Sequence, residues 1–270
     1  MDGLTTTSKV ADACTVFRGT HQGTGRRRLV DETNCELEFL RYGRINPADG
    51  PIAFNTGEEE MALFCLNGAG TIVADGTSYD LGQYDALYVP RDTAIEVSSS
   101  GPFDVAEIAC PVTRRFPIAL VRFADIKGDA ELAKQAGFAP YSRKLHTLIG
   151  ENVPASRVMC GVTFSDDGNW TSWPPHEHAA EKEEIYLYVE MPAPQFGIHL
   201  NYTDFDNIGT CTPVREGDAV AIKNGYHYNV ATPGTRVAFV WMMAAIREVE
   251  DRVFSVVHVQ PEFDGRFKLF

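Results

Sequence analysis

The stretch Asn169-Trp170-Thr171-Ser172-Trp173-Pro174-Pro175-His176-Glu177-His178, followed by Glu183-Glu184-Ile185-Tyr186-Leu187-Tyr188, decides the fold. Pro174 and Pro175 fix their own φ and keep the residues before them out of the helical region, so the approach to the histidines is extended. Side chains on an extended segment alternate with period two, which puts His176 and His178 on one face. A short polar connection, Ala179 to Lys182, leads to an aromatic and aliphatic run with a carboxylate at its start. Downstream, Gly217-Asp218 marks a tight turn, Ala219-Val220-Ala221-Ile222 a strand, and Asn224-Gly225 a second turn that delivers His227. Three of the seven histidines thus stand where two hairpins of a small β-barrel can bring them together. Three imidazoles and a carboxylate are a first-row metal set. The carboxylate is assigned to Glu184, which has the parity of His176 and His178, with Glu183 as the alternative.

Working outward, the first half of the chain has short apolar runs at 36–40, 62–66, 70–74, 86–90 and 95–97, with Asn67-Gly68 and Asp75-Gly76 as turns between them. The second half has strand-like runs at 157–164, 184–189, 196–202, 219–222, 228–231 and 237–243. This pattern is all-β, an antiparallel barrel or sandwich. The one helix candidate, Asp129 to Gln135 ended by Gly137, marks a linker. The halves repeat: Glu59-Glu60-Met61-Ala62-Leu63-Phe64 overlays Glu183-Glu184-Ile185-Tyr186-Leu187-Tyr188, and the run from Asp85 to Val97 overlays that from Asp218 to Val230. The expected organisation is a duplicated barrel, residues 1–128 and 129–270. Setting Glu60 on Glu184 puts Ile52, Phe54 and Ala94 where His176, His178 and His227 stand. The first barrel is therefore expected to be filled and to hold no metal.

A net charge of −13 opposes nucleic acid or an anionic membrane surface as partner. No apolar run reaches membrane-spanning length, and Met1 to Gln22 lacks the apolar core of a signal peptide, so a cytoplasmic location is expected. The six cysteines have no Cys-x-x-Cys spacing and read as reduced thiols, mostly buried. Arg26-Arg27-Arg28 reads as a solvated turn or a contact to a partner subunit.

The His-x-His, Glu, Gly-Asp, Gly-x-His order resembles the two motifs of the cupin barrel. Lys144-Leu145-His146-Thr147-Leu148, Gly168 to His178, Tyr202-Thr203-Asp204 and Gly225-Tyr226-His227 together resemble the 5-deoxy-glucuronate isomerases of inositol breakdown and the related 5-keto-4-deoxyuronate isomerases of pectin breakdown. The likeness is tightest from Lys144 to Met243 and stops after Ala245. It implies a bicupin that interconverts aldose and ketose forms of a sugar acid. It also implies a divalent metal on His176, His178, Glu184 and His227, with zinc first and manganese or iron as the other ions. Tyr226, Asp204 and His146 match family positions and are the expected acid and base groups, ahead of His199 and Tyr202. Assembly into a homo-oligomer is expected as well. Trp170 and Trp173 are assigned to packing at the barrel mouth rather than to stacking on a sugar. Two departures from the pattern stand out: Leu200 replaces an arginine before Tyr-Thr-Asp, and Lys223 replaces a proline before Gly-Tyr-His. Arg143, Lys144 and Lys223 are the cations available to replace that arginine. The same ligand set also suits an iron(II) dioxygenase, and a non-catalytic sugar-binding barrel is a third reading.

Overall fold

The computed structural model describes residues 14–204, 206, 209–267 and 269. It is nearly all β, with 52% strand against 3% helix, as the sequence pattern requires. Three sheets form it. A nine-stranded sheet holds the strands of the first half, Gly25–Val30 to Ala119–Val121. A seven-stranded sheet carries Lys182–Val189, Ala238–Ala245, Val158–Ser165 and Arg143–Ile149, and a five-stranded sheet carries Trp170–Glu177, Tyr226–Ala231 and Gly197–Tyr202. The seven-stranded sheet takes one strand from the start of the chain, Cys14–Phe17, which pairs with Ala219–Ile222 just as Ala119–Val121 pairs with Ala86–Val89. Each of these edge strands is followed by an arginine that binds the aspartate of the facing turn, Arg18 on Asp218 at 2.7 Å and Arg122 on Asp85 at 2.9 Å.

Lys182–Val189 is buried along its whole length because both of its faces are covered. Ile185 and Leu187 enter a core shared with the first half, beside Phe64 and Ile108. Tyr186 and Tyr188 point the other way, into the second half's own interior with Trp241 and Phe239. In the first half Met61, Leu63 and Cys65 line the corresponding interior with Leu87, Val89 and Ile95.

Several expectations are corrected by the register. Asp75-Gly76 does close a two-residue hairpin, both residues at positive φ, between Ala74 and Thr77. Asn67-Gly68 does not turn the chain; Glu59–Ala74 runs on as one strand with a register shift between Cys65 and Asn67. A Cβ on Gly68 would lie 1.8 Å from the Pro102 carbonyl oxygen, so glycine permits the close approach. The helix expected over 129–135 is absent. Asp129 accepts the backbone N–H groups of Glu131 and Leu132 in a local turn, and Ala133–Ala136 then pairs with Arg143–His146 as an edge strand. Ladder bonding to a sheet already present outweighs helix propensity worth only tenths of a kcal/mol per residue. The run 36–40 is irregular, and the strand follows it at Arg41–Asn46.

The overlay of the halves shifts by one residue. Phe64 pairs with Ala86 and Leu187 with Ala219, each one residue past the turn aspartate, so Glu60 corresponds to Glu183 and Met61 to Glu184. Glu60 and Glu183 then have a shared role across the seam. Glu60 accepts the backbone N–H groups of Ser156, Arg157 and Val158 at 2.8, 2.6 and 2.8 Å, and the Tyr88 hydroxyl. Glu183 accepts those of Glu38, Phe39 and Leu40 at 2.6, 2.8 and 2.8 Å. Ala94, set against His227 in the sequence overlay, is exposed; Ile95 holds the inward place, across from Phe54 as His227 is from His176. The arginine cluster lies in the strand Gly25–Val30 and not in a solvated turn. Arg26 and Arg28 reach the buried Glu107 at 2.5 and 3.1 Å, and Arg28 also reaches Glu59 at 2.7 Å. All six cysteines are free, four of them buried, and no helix among the described residues is long and apolar enough to cross a membrane.

Candidate metal centre

His176, His178 and His227 are all buried, and one ring nitrogen from each lies within 4.8 Å of the others. His176 and His227 are direct cross-strand partners in the five-stranded sheet. His178 follows at the strand end, where the 178–182 turn folds back and carries the chain into the seven-stranded sheet. Glu184, on that second sheet, enters from the opposite side, with Oε2 at 3.0 Å from Nε2 of both His178 and His227. Glu183 points to the seam between the halves, so parity separates the two carboxylates.

The tautomers follow from the partners. Nδ1 of His176, His178 and His227 lies 3.0, 3.1 and 3.1 Å from the carbonyl oxygens of Pro174, Lys182 and Gly225. A carbonyl only accepts, so each Nδ1 carries the proton and each Nε2 a lone pair. Two such lone pairs then face one carboxylate oxygen at 3.0 Å, and acceptors at that distance need a cation between them. Tetrahedral bonds of ~2.0–2.1 Å separate the donors by roughly 3.3 Å, so the residues fit a divalent ion. Outward hydrogen bonds of this kind are how metal-binding imidazoles are oriented. Nε2 of His227 makes no hydrogen bond, although it is buried. Burial, then His227 and His178, push the His176 pKa well below its usual value.

The cluster opens on an interior cavity of about 40 Å³, lined among others by His176, Glu184, Tyr186, Ser172 and Arg143. Tyr186 has the parity of Glu184 and its hydroxyl lies 2.9 Å from Ser172 Oγ. The expected acid and base groups do not face this space. His146 alternates with the inward Arg143 and Leu145, and its ring packs on Phe123 and Phe164 at 5.0 and 5.7 Å, toward the seam. Tyr226 alternates with His227 and lies on the outer face of its sheet, 5.9 Å from the Tyr202 ring. Asp204 is exposed and accepts the Asp206 N–H at 3.0 Å, closing a turn. The tryptophans also pack outside, Trp173 against Tyr228 and Phe263 at 5.4 and 5.2 Å. Sequence reading overlooked Tyr186, though its parity with Glu184 was visible. It also left 246–269 without a role, yet Phe254, Val257 and Leu269 from that segment cover the cavity.

His199 does face inward, wholly buried, with Nδ1 2.9 Å from the Tyr188 hydroxyl. Burial and then His227 lower its pKa to about 3, from the usual 6.5. The unfolded chain therefore binds a proton that the folded chain refuses, and stability present above pH 6.5 is lost as pH falls toward 3. His199→Gln is expected to flatten the slope of unfolding free energy between pH 6 and 4 by up to ~1.4 kcal/mol per pH unit. Urea titrations of metal-free protein across that range measure it; an unchanged slope would assign the acid sensitivity to other groups.

Comparison with known proteins supports the family reading. The KduI/IolB family model matches residues 30–260. A curated relative, the 5-deoxy-glucuronate isomerase of Geobacillus kaustophilus (strain HTA426), is 28% identical over 166 residues; the match covers 59% of this chain and 58% of the relative. The chain therefore aligns with rather more than half of that relative's length. An IolB-like protein from Salmonella typhimurium LT2 superposes with a TM-score of 0.73 at 21% identity, covering 83% of this chain and 90% of that one. A Cupin 2 conserved barrel domain protein from Leptotrichia buccalis superposes at 0.53 with 10% identity, covering 85% and 96%. The fold is the cupin barrel, and the chain belongs to the KduI/IolB family.

Proposed function

We propose that this chain interconverts the aldose and ketose forms of a sugar acid such as 5-deoxy-glucuronate in the cavity beside His176, His178, Glu184 and His227. One observation carries the reading: three imidazoles with their Nδ1–H groups tied to carbonyls are gathered around one point, and two of them present bare Nε2 atoms to a buried carboxylate. The family match, and the activity in the name of the Geobacillus relative, supply the substrate class. A divalent ion held by these four residues would act as a Lewis acid, polarising a carbonyl and stabilising charge on its oxygen.

The remaining work falls to the chain's own groups. The three carbonyl partners lock the imidazole planes, so the donor set is preorganised before substrate arrives. Tyr186 keeps its proton, because burial and then the Glu184 charge push its pKa well above the usual phenol value. It is thus a donor toward an oxygen bound in the cavity, oriented by Ser172, and takes the role first given to Tyr226, Asp204 and His146. Phe254, Val257 and Leu269 keep bulk water from the reacting carbons.

The test is turnover of 5-deoxy-glucuronate and 5-keto-4-deoxyuronate followed by NMR, under argon, before and after chelation. Isomerisation without oxygen is expected, abolished by chelator and restored by zinc or manganese. Activity that survives complete metal removal, or that stops under strict anaerobiosis, would overturn the reading, the second result in favour of a dioxygenase.

A further inference from the structure

Arg143 is 2% exposed and lines the same cavity as His176 and Glu184. Its guanidinium donates from Nη1 to the Tyr141 carbonyl at 3.0 Å and from Nη2 to the Leu269 carbonyl at 2.5 Å. Among the described residues no carboxylate pairs with it. A buried cation without a counter-ion is costly, and burial lowers the Arg143 pKa to about 10. Arg252, the other buried arginine of the second half among the described residues, gives its N–H groups to the carbonyls of Gly150, Ala155 and Val158.

The other two cations available in the sequence lie elsewhere. Lys144 alternates with Arg143 and borders the cleft around His146 and Phe123, and Lys223 is 3.9 Å from Glu183 at the seam. Leu200, standing where relatives are expected to carry an arginine, alternates with the inward His199 and Asn201 and so lies on the outer face of its sheet. An arginine there would point away from the cavity, and its absence takes no charge out of the site.

We propose that Arg143 receives the carboxylate of the substrate. The guanidinium fork matches a carboxylate in geometry and charge, and one acid oxygen takes the N–H now given to the Leu269 carbonyl. The cavity of about 40 Å³ holds only a few waters, so a six-carbon acid enters as Phe254, Val257 and Leu269 move outward. Release of Leu269 and capture of the acid are then one exchange at a single side chain. The proposal rests on the sugar-acid reading for its ligand class, and its test is a binding measurement that requires no turnover.

Calorimetric titration of metal-loaded wild type, Arg143→Met and Arg143→Lys with D-glucuronate and with D-glucose separates the two. Wild type is expected to bind glucuronate roughly 100-fold more tightly than glucose. Arg143→Met should lose that preference, and Arg143→Lys, a charge without the fork, should lose about tenfold, both with unchanged metal content. Should Arg143→Met fail to fold, Arg143→Lys carries the comparison. An equal affinity of wild type for both sugars, or a preference that survives the substitutions, overturns the proposal. Arg143-dependent binding of glucuronate without turnover of any deoxyuronate would keep this site and remove the isomerase reading. Turnover with an unchanged KM for the uronate in Arg143→Lys or Arg143→Met would do the reverse.

Discussion

Replacing any one of His176, His178 or His227 by alanine is expected to weaken the hold on a divalent ion by about 100-fold or more and to reduce isomerase activity with it. Each imidazole is buried and oriented by its own carbonyl partner. A four-ligand site of this kind is worth ~10–16 kcal/mol, so losing one ligand costs roughly 3 kcal/mol, or about 100-fold in affinity, before any rearrangement. Glu184→Gln should behave similarly, since it removes the one charged ligand. Glu183→Gln should leave the ion in place, because that carboxylate serves the backbone of Glu38, Phe39 and Leu40. Wild type should carry one ion per chain by elemental analysis. Two ions per chain, or an unchanged ion affinity in all three histidine variants, would refute the site.

Glu60→Ala is expected to give the largest loss of stability with the least effect on metal. Its carboxylate is wholly buried and accepts three backbone N–H groups and a phenol hydroxyl, three of the four from the other half of the chain or its linker. Truncation leaves those donors unpaired at ~1–3 kcal/mol each, so a destabilisation of about 4 kcal/mol or more is expected. Denaturant melts with parallel metal analysis of the refolded protein measure it. A variant with normal stability would show that the seam is not held at this point, and one that folds normally but loses metal would mean that Glu60 acts on the second barrel's interior. The pairing of Glu60 with Glu183, rather than with Glu184, is why no effect on the ligand set is expected.

The period-two rule determined a good deal from sequence alone. It was enough to put His176 and His178 on one face, to prefer Glu184 over Glu183, and to read the chain as a repeated all-β barrel, because alternation along an extended strand is a local property. The Asp75-Gly76 hairpin was legible for the same reason. Where the decision depended on a partner strand, local reading ran out. Asn67-Gly68 has the composition of a turn and became a register shift because Pro102 lies against it. The helical pattern at 129–135 yielded to the open edge at Arg143–His146. The one-residue error in the internal overlay came from two adjacent glutamates in each half, and only the pairing of Phe64 with Ala86 and Leu187 with Ala219 resolves it. The placement of Tyr226, Asp204 and His146 outside the cavity was hidden on the same ground. Tyr226 and His146 stand beside the inward His227 and Leu145 in sequence, and which face of a strand is inward is set by the sheet packed over it. For Arg143 the chain order says only that a cation precedes Lys144; its meeting with His176, Glu184 and Leu269 is made by strands and a covering segment far apart in sequence.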